Sequence, residues 1–289
     1  MAKFEEKNVN QTFGGAWTRE KIRTLTGYLT AYNTALKNQN FKKIYIDGFS
    51  GSGSQEIRIG EEFESIVGSA ICALQTVPAF EEYIFVEKNQ SFMKKLQGRV
   101  EKDYSNKVDS IKYYNNDFNA IINNITESIN WKSSRAVLFI DPYATELNWN
   151  SLKVISQTKA IDVWYLFPLS AITRMLPNNQ IPKKANDIFE RIFGTHEWQD
   201  ELYTQSNQLS LFDEQESESF RVSQDDILMY AKSRYETVFP FVSNSRVLYN
   251  SKGSPLFALF FFCSNPKPAA RNLSSRMADH LLKMNFDEF

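Results

Sequence analysis

Cysteine and histidine are scarce, two of each in 289 residues. Cys72 and Cys263 stand far apart in apolar stretches, which suits reduced, buried thiols and excludes a cysteine zinc cluster; no metal site is expected. Net charge is also nearly absent, at −1 with 33 Lys and Arg against 34 Asp and Glu. No bulk attraction to nucleic acid or acidic membranes is therefore written into the chain, and any basic site must be local. Long apolar runs are missing too. The longest, "PLFALFFFC", is too short to span a bilayer, and there is no N-terminal apolar segment of signal type. The expectation is a cytoplasmic protein without a membrane partner. The two histidines, His196 and His280, offer little chemistry: His196 in "FGTHEW" reads as a packed or surface residue rather than a proton shuttle.

What is present is a large apolar complement, 42% of residues with 23 Phe and 13 Tyr, enough for a sizeable core. Apolar residues Ile22, Leu25, Leu29 and Tyr32 recur at three-to-four spacing after "TREK", which predicts an amphipathic first helix. Short β-branched and aromatic runs follow: "KIYID" (43–47), "YIFVE" (83–87), "SIKYYN" (110–115), "AVLFID" (136–141) and "VWYLFP" (163–168). Helical patterns separate them, in "GSAICALQTV", "QSFMKKLQGRVEKD", "NAIINNITESI" and "NSLKVISQT". Alternation of this kind predicts a parallel sheet buried between two helical layers. Past Pro168 the alternation fails. Residues 170–240 carry the basic "TRMLPNNQIPKKAND" and the acidic "DEQESESFRVSQDD" and read as a mainly helical insertion. "SRVLYN" and "PLFALFFFCSN" then predict an antiparallel hairpin, and "PAARNLSSRMADHLLKM" a closing helix.

In open parallel sheets ligands sit beyond the carboxyl ends of the strands, near the point where strand order reverses. Four of these strand ends carry a carboxylate: Asp47, Glu87, Asp117 and Asp141. Asp also punctuates strand ends and caps helices, so each alone has a structural reading; the set beside a glycine loop favours a site. The loop is "DGFSGSGSQE". Its bare backbone is expected to lie against a ligand. A P-loop would need lysine where Ser54 stands, and a dinucleotide loop would need a third glycine leading straight into a helix. Here "SQEIRIGEEFESIV" intervenes before the helix at Ser69, a segment that could serve as a lid. The ligand class that remains is the phosphate-free nucleoside S-adenosylmethionine.

Asp47-Gly48-Phe49-Ser50-Gly51-Ser52-Gly53 resembles D-x-F-x-G-x-G, the first motif of Rossmann-like methyltransferases that methylate amino groups of nucleic acids. That resemblance implies that Asp47, Gly48, Phe49, Ser50, Gly51 and Gly53 border the cofactor and that Glu87 holds its ribose hydroxyls. It further implies that Asp117 accepts from the adenine amine and Phe118 covers the adenine face. "DPYA" at 141–144 is similar to the motif [DNS]-P-P-[YFW], with one proline fewer; on its own it also reads as an Asp-Pro turn. The likeness implies that Asp141 and the Pro142 carbonyl accept from an exocyclic amine while Tyr143 stacks on its base. Lys21 and Trp17 could close over the methionine end, but a solvated lysine and a core tryptophan are the plainer expectation.

Over nearly the whole chain the order "WTREKIRTLTGYLTAY", "YIDGFSGSG", "GSAICAL", "FVEKN", "LFIDPYA", "YLFPLSAITRM", "FGTHEW" and "GSPLFALFFFCSN" resembles the bacterial three-Cys-motif partner proteins. The resemblance implies a Rossmann-like class I methyltransferase sheet with an antiparallel hairpin at one end. It also implies a partner bearing a three-cysteine motif, able to carry an iron–sulfur cluster and radical chemistry, for which this chain has no ligands. The expected organisation is a methyltransferase-like domain over 1–169 and 241–289, with 170–240 recognising target or partner. Arg174, Lys183, Lys184 and Arg191 in that insertion are candidates to follow nucleic-acid phosphates. Methylation of a small molecule or a protein, and a cofactor-binding subunit without turnover, stand as alternatives.

Overall fold

The computed structural model describes residues 16–59, 62–176, 183–202 and 222–284. The alternating pattern forms one mixed sheet. Its strands are β1 (Lys42–Asp47), β4 (Glu82–Val86), β5 (Ile111–Tyr114), β6 (Ser134–Ile140), β7 (Ile161–Phe167), β8 (Phe241–Val242), β9 (Arg246–Tyr249) and β10 (Pro255–Cys263). Spatial order is β5-β4-β1-β6-β7-β10-β8, with β9 pairing β10 on the same outer side as β8. β1, β4, β5, β6 and β7 are mutually parallel, and β10 runs antiparallel to β7. This is the predicted Rossmann-like class I methyltransferase sheet, with the hairpin at one end. The longest apolar run in the chain becomes β10, the strand with neighbours on both sides at that end, which explains why it must be apolar throughout.

Alternation along each strand sends side chains into two cores. Ile44, Ile46, Leu138 and Ile140 face one; Tyr45, Val137 and Phe139 face the other. The second core is covered by α1 (Ala16–Ala35), α2 (Ser69–Gln75), α3 (Gln90–Asp103) and α9 (Pro268–Lys283). The first is covered by α4 (Phe118–Glu127) and α5 (Trp149–Gln157), together with helices from 170–240: α6 (Leu169–Met175), α7 (Lys183–Phe193) and α8 (Gln224–Glu236). Phe189, Phe193, Trp198 and Tyr235 thus share an apolar cluster with the sheet.

The segment 54–67 leaves the sheet as a separate antiparallel pair, β2 (Ser54–Ile59) with β3 (Glu62–Val67). Its base is tied to the glycine loop, because the Gly68 N–H donates to the Gly53 carbonyl at 2.9 Å.

Gly194, just past α7, has φ +68, and a Cβ there would stand 2.2 Å from the Trp149 ring. Left-handed backbone and ring contact act together, so Gly194→Ala should lower unfolding free energy by about 2 kcal/mol, measured by urea denaturation. An unchanged midpoint would show that the indole moves aside freely.

Candidate functional site

β1 lies between β4 and β6, where the chain order of the parallel strands reverses. A cleft of about 710 Å³ opens beyond the carboxyl ends of these strands. The loop after β1 is stitched to both neighbours. Gly48 N–H donates to the Phe139 carbonyl at 2.9 Å, and the Ser50 N–H and hydroxyl both donate to the Val86 carbonyl, at 2.9 and 3.2 Å. Gly51 and Gly53 have φ +60 and +81, so the turn itself demands glycine there.

The glycines divide by what they face, which corrects the expectation of a bare backbone awaiting a ligand throughout. A Cβ on Gly48 would meet the Phe118 ring at 2.9 Å, and one on Gly53 would meet Leu96 at 2.9 Å; one on Gly51 meets nothing within 4 Å. Gly48 and Gly53 therefore answer to packing, and Gly51 presents open backbone. Phe118, only 2% exposed, packs on Gly48 and on Phe49 at 5.5 Å, so most of its ring is already covered by protein.

Asp47 ends β1 beneath the loop with no exposure. Tyr45 Oη donates to it at 3.1 Å and Phe49 N–H at 3.3 Å. Burial raises its carboxyl from 3.8 to about 7 despite those donors and Ser69.

Glu87 follows β4. Its Oε2 accepts the Gly51 N–H at 2.9 Å and its Oε1 the Asn89 N–H at 2.7 Å. Each oxygen has acceptor capacity left. Burial raises this carboxyl and the two N–H donors offset only part of the rise. Asp117 caps α4, accepting from Asn119 N–H at 2.9 Å, and pairs with Lys88 at 3.1 Å. Burial alone would raise its carboxyl, but Lys88 and Asn119 carry it below the usual range. The capping role weighed for this residue in the sequence is thus present, at a position that also borders the cleft.

Asp141, just past β6, borders the cleft with Tyr143, whose ring is 59% exposed; Pro142 is buried. Ala144 sits at φ +49, a strained conformation for a residue with a Cβ. The loop is held in it from two sides. Arg191 donates to the Thr145 carbonyl at 2.8 Å, while the Asn119 amide donates to the Glu146 carbonyl at 2.8 Å and accepts the Asn148 N–H at 2.9 Å.

Lys21 corrects the expectation of a solvated lysine. It is 1% exposed, and its Nζ lies 2.6 Å from Asp141 Oδ2 and 5.2 Å from the Trp17 ring centroid. Trp17 is half-buried against Phe257, at 4.8 Å, rather than a core residue. The signal for Lys21 was in the sequence: Thr18, Lys21, Leu25, Tyr28 and Tyr32 keep a three-four spacing, and all five are buried.

Among the basic candidates of 170–240 whose side chains are described, none lines the cleft. Arg174 is exposed on α6 and is not among the lining residues. The side chains of Lys183 and Lys184 lie outside the described residues, and Arg191 braces the Asp141 loop as above. His196 is on the surface, 2.9 Å from Glu190. Among the described residues, no three His, Cys, Asp or Glu side chains converge as a metal site and no helix is long and apolar enough to cross a membrane.

No family model and no curated protein sequence matches the chain. Solved structures do resemble it. One is a Legionella pneumophila protein of family-model DUF519, at 10% identity and TM-score 0.49, covering 90% of this chain and 91% of that one. Another is spermidine synthase from Thermotoga maritima, at 10% identity and TM-score 0.41, covering 88% and 61%. A third is magnesium protoporphyrin IX methyltransferase from Synechocystis with bound SAM, at 10% identity and TM-score 0.37, covering 86% and 85%.

Proposed function

We propose that the chain is an S-adenosylmethionine-dependent methyltransferase acting on an amino nitrogen, with the exocyclic amine of a nucleic-acid base as the preferred acceptor. The observation that carries this reading is the Gly51–Glu87 bridge at the strand-order reversal, with Asp141 bordering the same cleft. The residues fit the cofactor. The cleft volume, about 710 Å³, suits a nucleoside. Gly51 offers open backbone to the amino-acid end, Glu87 keeps acceptor capacity for ribose hydroxyls, and Asp117 borders the cleft at the place proposed for the base, with Phe118 largely covered behind it.

When bound, S-adenosylmethionine supplies a methyl group on a sulfonium, an already activated donor. The chain then needs to place the acceptor nitrogen in line and exclude water. Lys21 pins Asp141 Oδ2, which leaves Oδ1 to accept an N–H of the incoming amine and keep the nitrogen lone pair directed at the methyl. The Pro142 carbonyl is the second acceptor and the Tyr143 ring the stacking platform. With the cofactor bound, Asp141 and the Pro142 carbonyl would hold the acceptor amine, and Asp141 or solvent would take up the proton that it releases.

Arg174, Lys183 and Lys184 are proposed to follow phosphates of the substrate. With net charge −1 they make a weak nucleic-acid binder, so delivery by a partner with a three-cysteine motif fits this reading. One observation favours a subunit that binds cofactor without turnover: Asp141 already has a cationic partner in Lys21.

Calorimetry separates the parts. Glu87→Ala should weaken S-adenosylmethionine roughly tenfold or more, while Asp141→Ala leaves that affinity nearly unchanged and abolishes methyl transfer to nucleic acid. Equal cofactor affinity in wild type and Glu87→Ala would remove the site assignment. Binding without transfer to any nucleic acid, with the three-cysteine partner added, would favour the non-catalytic subunit.

A further inference from the structure

A second cavity, about 340 Å³, lies at the opposite end of the sheet, between the C-terminal half of α1, the N-terminal half of α9 and the amino ends of β6 and β7. Tyr32, Leu36, Phe41, Leu273 and Met277 give it apolar walls. Asp162, the second residue of β7, borders it at 9% exposure.

The partners of Asp162 are neutral. Tyr28 Oη donates to its Oδ2 at 2.7 Å, and the Cys263 thiol also hydrogen-bonds to it. Burial, then Asp162 itself, push Tyr28 well above the usual tyrosine value, so it stays an uncharged donor. Burial raises the Asp162 carboxyl from 3.8 to about 6. Among the described residues no ion pair reaches it. The nearest candidate, Arg135, is engaged elsewhere: its Nη1 donates to the carbonyls of Trp131 and Ser134, at 2.9 and 2.6 Å, and its guanidinium stacks on Phe41 at 3.9 Å. Arg135 and Lys267 also border the cavity, and Arg135 lowers the Asp162 value, but neither forms an ion pair with it; a buried carboxylate without a direct ion pair is unfavourable, and the open side of this one is the cavity.

From this juxtaposition we propose that the cavity is a binding site for a small organic ammonium ligand with an apolar body, its N–H groups donating to Asp162. The cavity volume is at the low end for ligand pockets, which selects a small molecule over a peptide. The proposal is independent of any reading of the large cleft, which lies at the other end of the strands.

Three probes with one phenyl body test it: 2-phenylethylammonium, 2-phenylethanol and 3-phenylpropionate, titrated by calorimetry into the full chain at neutral pH. The ammonium should bind at least about tenfold tighter than the alcohol, and Asp162→Asn should erase that preference. Leu273→Trp, at a wall position 44% exposed, leaves Asp162 in place and should weaken the ammonium by about tenfold through filling the space. Leu273→Trp also decides the matter if Asp162→Asn does not fold. Equal affinity for ammonium and alcohol, preference for the carboxylate probe, or ammonium binding untouched by Leu273→Trp would each overturn the proposal.

Discussion

Replacing Lys21 by Met is expected to destabilise the chain by about 3 kcal/mol, and adding Asp141→Asn to return most of that loss. Lys21 is 1% exposed and Asp141 retains 21% side-chain exposure, so the ammonium is the more deeply buried partner. Met keeps the aliphatic volume against Trp17 and Phe139, which makes the loss report on charge rather than on a cavity. What remains in the single variant is a half-enclosed carboxylate whose partner at 2.6 Å has gone. Asn at 141 removes that charge. Urea denaturation of the four forms gives the coupling directly: strictly additive effects, or a single variant as stable as wild type, would show that solvent already screens the pair. Methyl transfer supplies the second readout. The double variant should be folded yet slower than wild type by about tenfold or more, because without Lys21 nothing pins the side chain at 141 with one oxygen directed at the amine.

The sheet was legible because its determinants are local. β-branched and aromatic runs punctuated by helical periodicity specify parallel strands, and "SRVLYN" with "PLFALFFFCSN" specify the hairpin. The cleft was legible at the level of strand ends, since Asp47, Glu87, Asp117 and Asp141 could be counted from the sequence as carboxylates at one edge. What each carboxylate touches was not. The Asp117 cap on α4 is local and was weighed from the sequence, but its pairing with Lys88 and the sealing of Asp47 beneath its loop depend on contacts between segments distant in the chain. The loop glycines carried a mixed message for the same reason: Gly48 makes room for Phe118, 70 positions away in sequence, Gly53 packs against Leu96, and Gly51 opens outward. Lys21 was the avoidable miss. Its helical phase places it on the buried stripe with Leu25 and Tyr28, and a charge in such a phase demands a partner, which the strand end at Asp141 provides. The hairpin at 54–67 was hidden by its charges, which interrupt the alternation that identifies strands.

Asp47 should make the stability of the chain fall as pH rises. Its carboxyl is fully buried, and burial sets its folded value at about 7 against 3.8, so the native state holds the proton more tightly than the unfolded one. Stability from this group is complete below the unfolded value and is lost as pH rises through the folded one. Asp47→Asn cannot ionise. Its oxygen can still accept from the Phe49 N–H, and the hydroxyls of Tyr45 and Ser69 can rotate to suit the amide. Between about pH 4 and pH 8 the stability difference should therefore move in favour of the variant by at most about 4 kcal/mol, with Asp162 present in both forms and cancelling. Parallel wild-type and variant profiles in urea would show that Asp47 does not titrate in this range. The same linkage joins the residue to the cleft. A cation bound above the loop favours the ionised carboxylate, so a sulfonium ligand should draw the Asp47 value down and bind with release of a proton near neutral pH. Calorimetry in two buffers of different ionisation enthalpy would detect that proton in wild type and find it gone in Asp47→Asn, whereas a neutral thioether analogue should release much less in either form.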